Sequence, residues 1–418
     1  MGDVKILTDR YIKRYHDVRN QTLTICAPLL PEDHVVQPIV DVSPPKWHLG
    51  HTTWFFETFI LKNFHKQYRI FDTDYNYLFN SYYESIGNRV IRTDRGNLTR
   101  PGVAEIQEYR RYVDVFMNEL LETADDERIF HLTELGLQHE QQHQELLVTD
   151  IKYILGNNPL FPEYKKIKSS PEHKVKEMKF VEVPGGMYEI GYKGKEFCFD
   201  NEQPAHKIYV DSFSSADRLV TNEEYLQFME DGGYKDFRFW LMEGWELVKA
   251  LKWNSPLYWV KKSGDWFEYT LGGLKPLVLS EPVTHISFYE ADAYAKWAGK
   301  RLLTEMEWEV ASQVLNQSVD GGNFLESGNF HPVAEVADSI QLLGNAWQWT
   351  YSSYSPYPGY EQEEGALGEY NGKFMINQMV LRGGSCATPR SHIRATYRNF
   401  FHPDKRWQFT GIRLANKD

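Results

Sequence analysis

The chain has 418 residues, 42% hydrophobic and 15% aromatic, enough apolar material for two or three packed cores. Its 46 basic and 58 acidic residues leave a net charge of −12 with no basic block, which argues against nucleic acid or an anionic membrane as partner. The three cysteines, Cys26, Cys198 and Cys386, form neither a CxxC pair nor a disulfide framework; with no signal core, targeting helix or membrane-spanning run, the expected location is the cytoplasm.

In chain order, apolar periodicity predicts helices over residues 4–30, 47–64, 100–123 and 126–155, the last ended by Gly156-Asn157-Asn158-Pro159. That spacing suits a helix bundle over residues 1–165. A charged, breaker-rich stretch follows and reads as a linker over residues 166–175. Residues 176–418 change texture, with short β-prone runs at 180–183, 207–210 and 379–381 among glycine pairs and aromatic loops, and only two clear helices, 222–232 and 289–298. The expected fold class is α+β, a helix bundle followed by a loop-rich β domain.

His139 and His143 are four residues apart on the predicted helix 126–155, so both imidazoles leave one face and fit a shared metal ion. They interrupt an apolar stripe through Leu132, Leu135, Leu146, Leu147, Ile151 and Ile154, where unbonded imidazoles are costly. The plainer alternative is a pair of core histidines satisfied by neighbouring side chains. His139-Glu140-Gln141-Gln142-His143 also matches the H-E-x-x-H pattern of zinc proteases, with Glu163 spaced as a third ligand, although the breaker-rich 156–162 loop works against that reading.

Five ordered motifs lie in the C-terminal part: Val183-Pro184-Gly185-Gly186-Met187 through Gly191, Val220-Thr221-Asn222-Glu223-Glu224-Tyr225, Gly299-Lys300-Arg301-Leu302-Leu303-Thr304-Glu305-Met306-Glu307-Trp308-Glu309, Gly344-Asn345-Ala346-Trp347-Gln348-Trp349 and Leu381-Arg382-Gly383-Gly384-Ser385. Together they resemble the formylglycine-generating-enzyme fold, a variant of the C-type lectin fold. Most of these residues read as structural. The copper-binding cysteine pair of those enzymes is missing, since only Cys386 falls in that region, and formylglycine formation is therefore not expected.

Trp47-His48-Leu49-Gly50-His51-Thr52-Thr53-Trp54, followed downstream by His139 and His143, resembles a DinB-like bundle whose three histidines bind a divalent metal. The resemblance makes His51 the third ligand; His48, one helical turn before it, is expected in the core or in a place supporting the ligands. A DinB-like bundle joined to this C-terminal fold resembles the ergothioneine-biosynthetic sulfoxide synthases, the EgtB family. In that family a non-haem Fe(II) held by three histidines uses O2 to join a thiol sulfur to imidazole C2 of hercynine, giving a sulfoxide. Three neutral imidazoles leave positions open on an octahedral ion; O2 chemistry favours iron, while the histidines alone fit iron and zinc equally.

The resemblance also implies substrate residues. Gln142 and Asn399 match positions that hold hercynine, Phe400 and Phe401 add apolar walls, and Arg92 and Arg95 match a basic pair for the carboxylate of the thiol. Where members using γ-glutamylcysteine carry an acidic residue, this chain has Phe400-Phe401, which favours cysteine as donor. Tyr82 and Tyr83 resemble the tandem tyrosines of cysteine-using members. A phenol there would donate a proton or an electron and so steer O2 toward C–S bond formation and away from thiol dioxygenation. Read on a helix, the two would point about 100° apart and reach the metal unequally. The aromatic loop 351–360 is the reserve source of a proton donor. The expected site combines the bundle histidines with Asn399 and aromatics of the C-terminal domain. Alternatives are a selenoneine- or ovothiol-type synthase, a zinc-dependent DinB-like thiol transferase, and a binding module in which the metal serves stability.

Overall fold

A computed structural model describes residues 2–167, 173–335, 340–362 and 371–416, so part of the expected linker 166–175 lies outside the described residues. Two compact units divide between Leu160 and Phe161.

The first unit is helical: α1 (Gly2–Cys26), α2 (Pro45–Phe56), α3 (Lys62–Phe64), α4 (Tyr75–Phe79), α5 (Val103–Thr123) and α6 (Glu127–Gly156). α1 stops before the predicted residue 30 because Pro28 lacks the N–H that the next helical bond needs. α5 starts after Pro101 and Gly102 for the same class of reason, and Glu105 accepts from the Gly102 N–H at 2.6 Å. α2 begins on Pro45, which sits well in a first turn, and runs through one π-helical turn, Glu57–Leu61, into α3. Every residue of α2 is buried, as it must be for a helix packed against both α5 and α6.

The second unit is β-rich. One four-stranded sheet has the order β1 (Phe180–Val183), β4 (Phe213–Ala216), β13 (Leu414–Asn416), β8 (Lys300–Leu302). Another runs β11 (Asn399–Phe401), β10 (Met379–Arg382), β9 (Trp347–Ser353), β12 (Thr410–Gly411), with β12 parallel to β9. β2 (Gly186–Ile190) pairs with β3 (His206–Val210), and β5 (Trp259–Lys262), β6 (Asp265–Thr270) and β7 (Gly273–Pro276) form a meander. Besides the two expected helices, α7 (Asn222–Glu230) and α9 (Phe288–Trp297), the unit contains α8 (Met242–Leu251) and α10 (Glu305–Val314), a correction to the count of two. The motif residues are structural: Arg301 pairs with Glu307 at 2.8 Å, Arg382 with Glu309 at 2.6 Å, and Arg398 with Glu305 at 2.9 Å. Among the described residues, no helix is long and apolar enough to cross a membrane.

Candidate metal centre

Two glycines let three imidazoles meet. A Cβ on Gly136 of α6 would lie 2.7 Å from Phe56 Cε1, so only glycine allows α6 to settle against α2 at that level, one turn before His139. A Cβ on Gly50 of α2 would lie 2.4 Å from Phe79 Cε1, so the end of α4 closes onto α2 only because that position is bare. The result is a buried cluster of His51, His139 and His143, with one ligand nitrogen of each within 4.8 Å of the others. His51 Nε2 and His139 Nε2 are 3.2 Å apart.

The cluster is electrically neutral. Burial pushes all three imidazoles toward the uncharged form: His139 falls to about 4, while His51 and His143, further opposed by His139, lie well below the usual imidazole range. A neutral imidazole has one protonated and one lone-pair nitrogen, and the protonated one is directed by its hydrogen bond. His51 Nδ1–H donates to the Phe79 carbonyl at 2.6 Å, which leaves Nε2 facing the other ligands. Three convergent neutral nitrogens, with no carboxylate in the group, fit a divalent iron or zinc ion and leave coordination positions for substrates.

Glu140, adjacent to His139 in sequence, faces a different interior. Its carboxylate accepts from Arg19 Nη1 at 2.9 Å, from Thr22 Oγ1 at 2.6 Å, and from Arg110. Burial alone would raise its pKa, but Arg110 and Arg19 outweigh that effect and hold it at about 2. A carboxylate so bonded and so acidic does not take a proton from water at neutral pH. Glu163 belongs to the second unit and lies 3.8 Å from Lys275. The protease reading of H-E-x-x-H therefore fails at Glu140, whose carboxylate is taken up by Arg19, Thr22 and Arg110, and His51 is the third histidine of the cluster.

Of the other expected residues, Arg95 lies beside the cluster. Trp47 stacks on His51 with centroids 4.6 Å apart and planes 13° apart, and the Arg95 guanidinium carbon sits 3.4 Å from the Trp47 centroid. Arg95 is buried, donates to Ser43 Oγ at 2.9 Å and Ser81 Oγ at 3.1 Å, and has no carboxylate partner among the described residues. Burial and then Arg92 lower its pKa to about 9. Arg92 donates to Tyr82 OH at 2.9 Å and to the carbonyls of Val40 and Asp41. Gln142 is half-buried on α6.

Tyr82 and Tyr83 do not lie on a helix, which corrects the expected 100° offset. α4 ends at Phe79, and Asn80 Nδ2 donates to the carbonyls of Tyr83 at 3.1 Å and Gly87 at 2.9 Å, folding the segment into a turn. Tyr82 is half-buried at Arg92; Tyr83 is buried against Trp54 and Phe59, with centroids 5.6 and 5.2 Å away. Trp54 in turn lies near-parallel to His51 at 5.7 Å.

In the second unit, Asn399, Phe400 and Phe401 form strand β11. Phe400 stacks on Tyr354 with centroids 4.1 Å apart, and Phe401 packs edge-on to Trp407. Two reserve tyrosines of the 351–360 loop are already engaged: Tyr354 OH accepts from Asn201, and Tyr360 OH donates to Asp200, each at 2.8 Å.

Sequence reasoning missed Asp150, which stands behind His48. Its signal was a carboxylate two turns beyond His143 on the same apolar stripe of α6.

Residues 164–339 and 331–418 match the sulfatase-modifying factor enzyme 1-like domain, and residues 14–147 match the DinB superfamily. A hercynine oxygenase of Mycobacterium tuberculosis is 30% identical over 301 residues, covering 67% of this chain and 70% of that protein. The chain belongs to the hercynine oxygenase family. A second hercynine oxygenase, from Mycolicibacterium smegmatis, is 29% identical over 350 residues, covering 78% of this chain and 80% of that protein. Resemblance to the formylglycine-generating enzyme of Bos taurus is confined to 57% of this chain at 26% identity, covering 74% of that protein. Hercynine oxygenase family membership joins the two matched regions in one chain, with the three-histidine cluster inside the DinB-like part.

Proposed function

We propose that this protein is an iron-dependent oxygenase of ergothioneine biosynthesis that joins the sulfur of cysteine to imidazole C2 of hercynine, giving hercynylcysteine sulfoxide. The observation that carries the reading is the buried cluster of neutral His51, His139 and His143 in a chain of this family. Those three residues would hold Fe(II), which supplies the activation of O2 that closed-shell substrates require.

The chain's own side chains account for the rest. Arg95, a buried cation without a carboxylate partner among the described residues, supports the assignment of the thiol's carboxylate to Arg95 and Arg92. Asn399, Phe400 and Phe401 are the residues proposed for hercynine, with Phe400, half-buried and stacked on Tyr354, as the aromatic neighbour of the trimethylammonium group; Gln142 is the partner proposed for the imidazole. Tyr83, packed on the Trp54 that lies along His51, and Tyr82, held by Arg92, are the proposed proton donors. The balance closes without an added reductant. The imidazole C–H and the thiol S–H are lost, C–S and S=O bonds form, and the second oxygen atom leaves as water. Free cysteines support a cytoplasmic location.

Anaerobic loading with Fe(II), followed by O2, hercynine and cysteine, tests the reading through oxygen uptake and product mass recorded together. The expected product is a hercynylcysteine sulfoxide at one O2 per product. Reaction with γ-glutamylcysteine alone would remove cysteine as donor and leave the site standing. Phenylalanine at Tyr82 or Tyr83 is expected to divert turnover toward cysteine sulfinate; unchanged product ratios in both variants would remove the donor role.

A further inference from the structure

His48 lies one turn before His51 on α2, is 2% exposed, and meets His143 with Nδ1 to Nδ1 at 2.8 Å. Its Nε2 is 3.0 Å from Asp150 Oδ2. That oxygen also accepts from the Ser43 N–H at 2.9 Å, and Asp150 is 1% exposed. Two nitrogens at 2.8 Å share one proton, and the carboxylate decides which of them carries it. A carboxylate only accepts, so the proton of a neutral His48 sits on Nε2, facing Asp150. His48 Nδ1 is then the acceptor and His143 Nδ1 the donor. The lone pair of His143 is thereby placed on Nε2, the nitrogen opposite the relay.

We propose that Asp150 and His48 form a carboxylate–imidazole relay that sets the tautomer and ring orientation of His143 and so raises the affinity of the three-histidine cluster for its metal. The proposal rests on the metal-centre reading above. His51 is oriented by the Phe79 carbonyl, a backbone group, whereas His143 is oriented by side chains, so its donor strength is open to tuning by residue identity. The Asp150 carboxylate fixes His48 as the acceptor for the His143 Nδ1–H and so aims the His143 lone pair at the cluster, the part a carboxylate plays behind a ligating histidine. Ser43, whose N–H fixes Asp150, is itself held by Arg95 through its hydroxyl at 2.9 Å. Both residues are positioning residues, acting through His143.

Chelator-stripped full-length protein, titrated anaerobically with Fe(II) and in parallel with Co(II), whose visible absorption reports ligand geometry, tests the relay. Asp150→Asn keeps an acceptor for Ser43 and His48 but loses the charge, and His48→Leu removes the relay. Each is expected to weaken metal binding about 10- to 100-fold and to alter the cobalt band. His48→Gln, whose amide oxygen accepts from His143 while its nitrogen donates to Asp150, is expected to recover most of the affinity. Circular dichroism and the metal-free Tm identify folded variants. A merely structural role lowers the metal-free Tm in all three variants and leaves the cobalt spectrum of the folded fraction unchanged, which overturns the proposal. Equal affinities in wild type, Asp150→Asn and His48→Leu overturn it as well. A wild type that binds neither metal overturns the metal-centre reading along with it.

Discussion

His139 and Glu140 are neighbours on α6 but belong to two interiors of the bundle built on opposite rules. Around Glu140, charge is retained and compensated: the carboxylate meets Arg19 and Arg110, and Arg19 also reaches Asp114 at 2.7 Å. Around His139, charge is refused, and burial keeps three imidazoles neutral with their lone pairs convergent. Successive side chains on a helix diverge by about 100°, which is enough to separate the two environments within one helical turn. A buried ion network costs desolvation that only complete pairing offsets, and a metal centre needs donors that pairing would consume. The bundle serves both needs by giving them different faces of α6.

The largest effect that would sharpen this contrast is expected at Glu140. Glu140→Gln leaves two buried guanidiniums without their shared carboxylate and should lower stability by about 3 kcal/mol, measured by denaturant titration. The folded fraction should still bind one metal per chain. Loss of metal binding from fully folded protein would show that the two interiors are not separable.

Arg95, like the Asp150 carboxylate behind His48, breaks the rule of the second interior, since it is a buried cation beside neutral ligands. Arg95→Gln should raise KM for the thiol about 10- to 100-fold with a smaller change in kcat, the signature of lost ground-state binding to a carboxylate. An unchanged KM would reassign Arg95 to holding Trp47 and Ser43 in place.

The smallest effect concerns a buried imidazole outside both regions. His34, on the short 3-10 turn Pro31–Val35, falls to about 4, chiefly through burial, with Lys46 adding to it against Asp33. Unfolded, it binds a proton near pH 6.5. Its contribution to stability is therefore full above about pH 6.5 and is lost as pH falls toward 4. His34→Asn should flatten that arm of a Tm-against-pH series. An unaltered acid arm would place its origin at other groups.

Much of this was legible in the chain. The bundle helices follow from apolar periodicity, and the pair on α6 follows from spacing alone, because a helix turns two histidines four apart onto one side whatever surrounds them. In the second unit the three expected strands are present, but α8 and α10 were not read as helices. α8 carries Gly244, a poor helix former, tolerated because a Cβ there would come within 2.7 Å of Tyr289. α10 does announce itself, through Thr304 accepting from the Glu307 N–H, a capping signal inside a motif whose residues read only as structural. The helical reading of Tyr82 and Tyr83 fails because nothing local shows that the Asn80 side chain captures the carbonyls of Tyr83 and Gly87.

What the sequence alone determined is therefore what depends on near neighbours: helix periods, caps, the spacing of His139 and His143, and the motifs that mark the family. What only the tertiary structure decided depends on groups far apart in the chain. His51 joins the α6 pair across the helix contact that Gly136 allows; Glu140 is neutralised by Arg19 and Arg110 from two other helices; Asp150 acts on His143 by way of His48. The physical reason is that pattern reports which face of an element is apolar, whereas the charge state and direction of a buried polar group are set by whichever partner packing brings within about 3 Å.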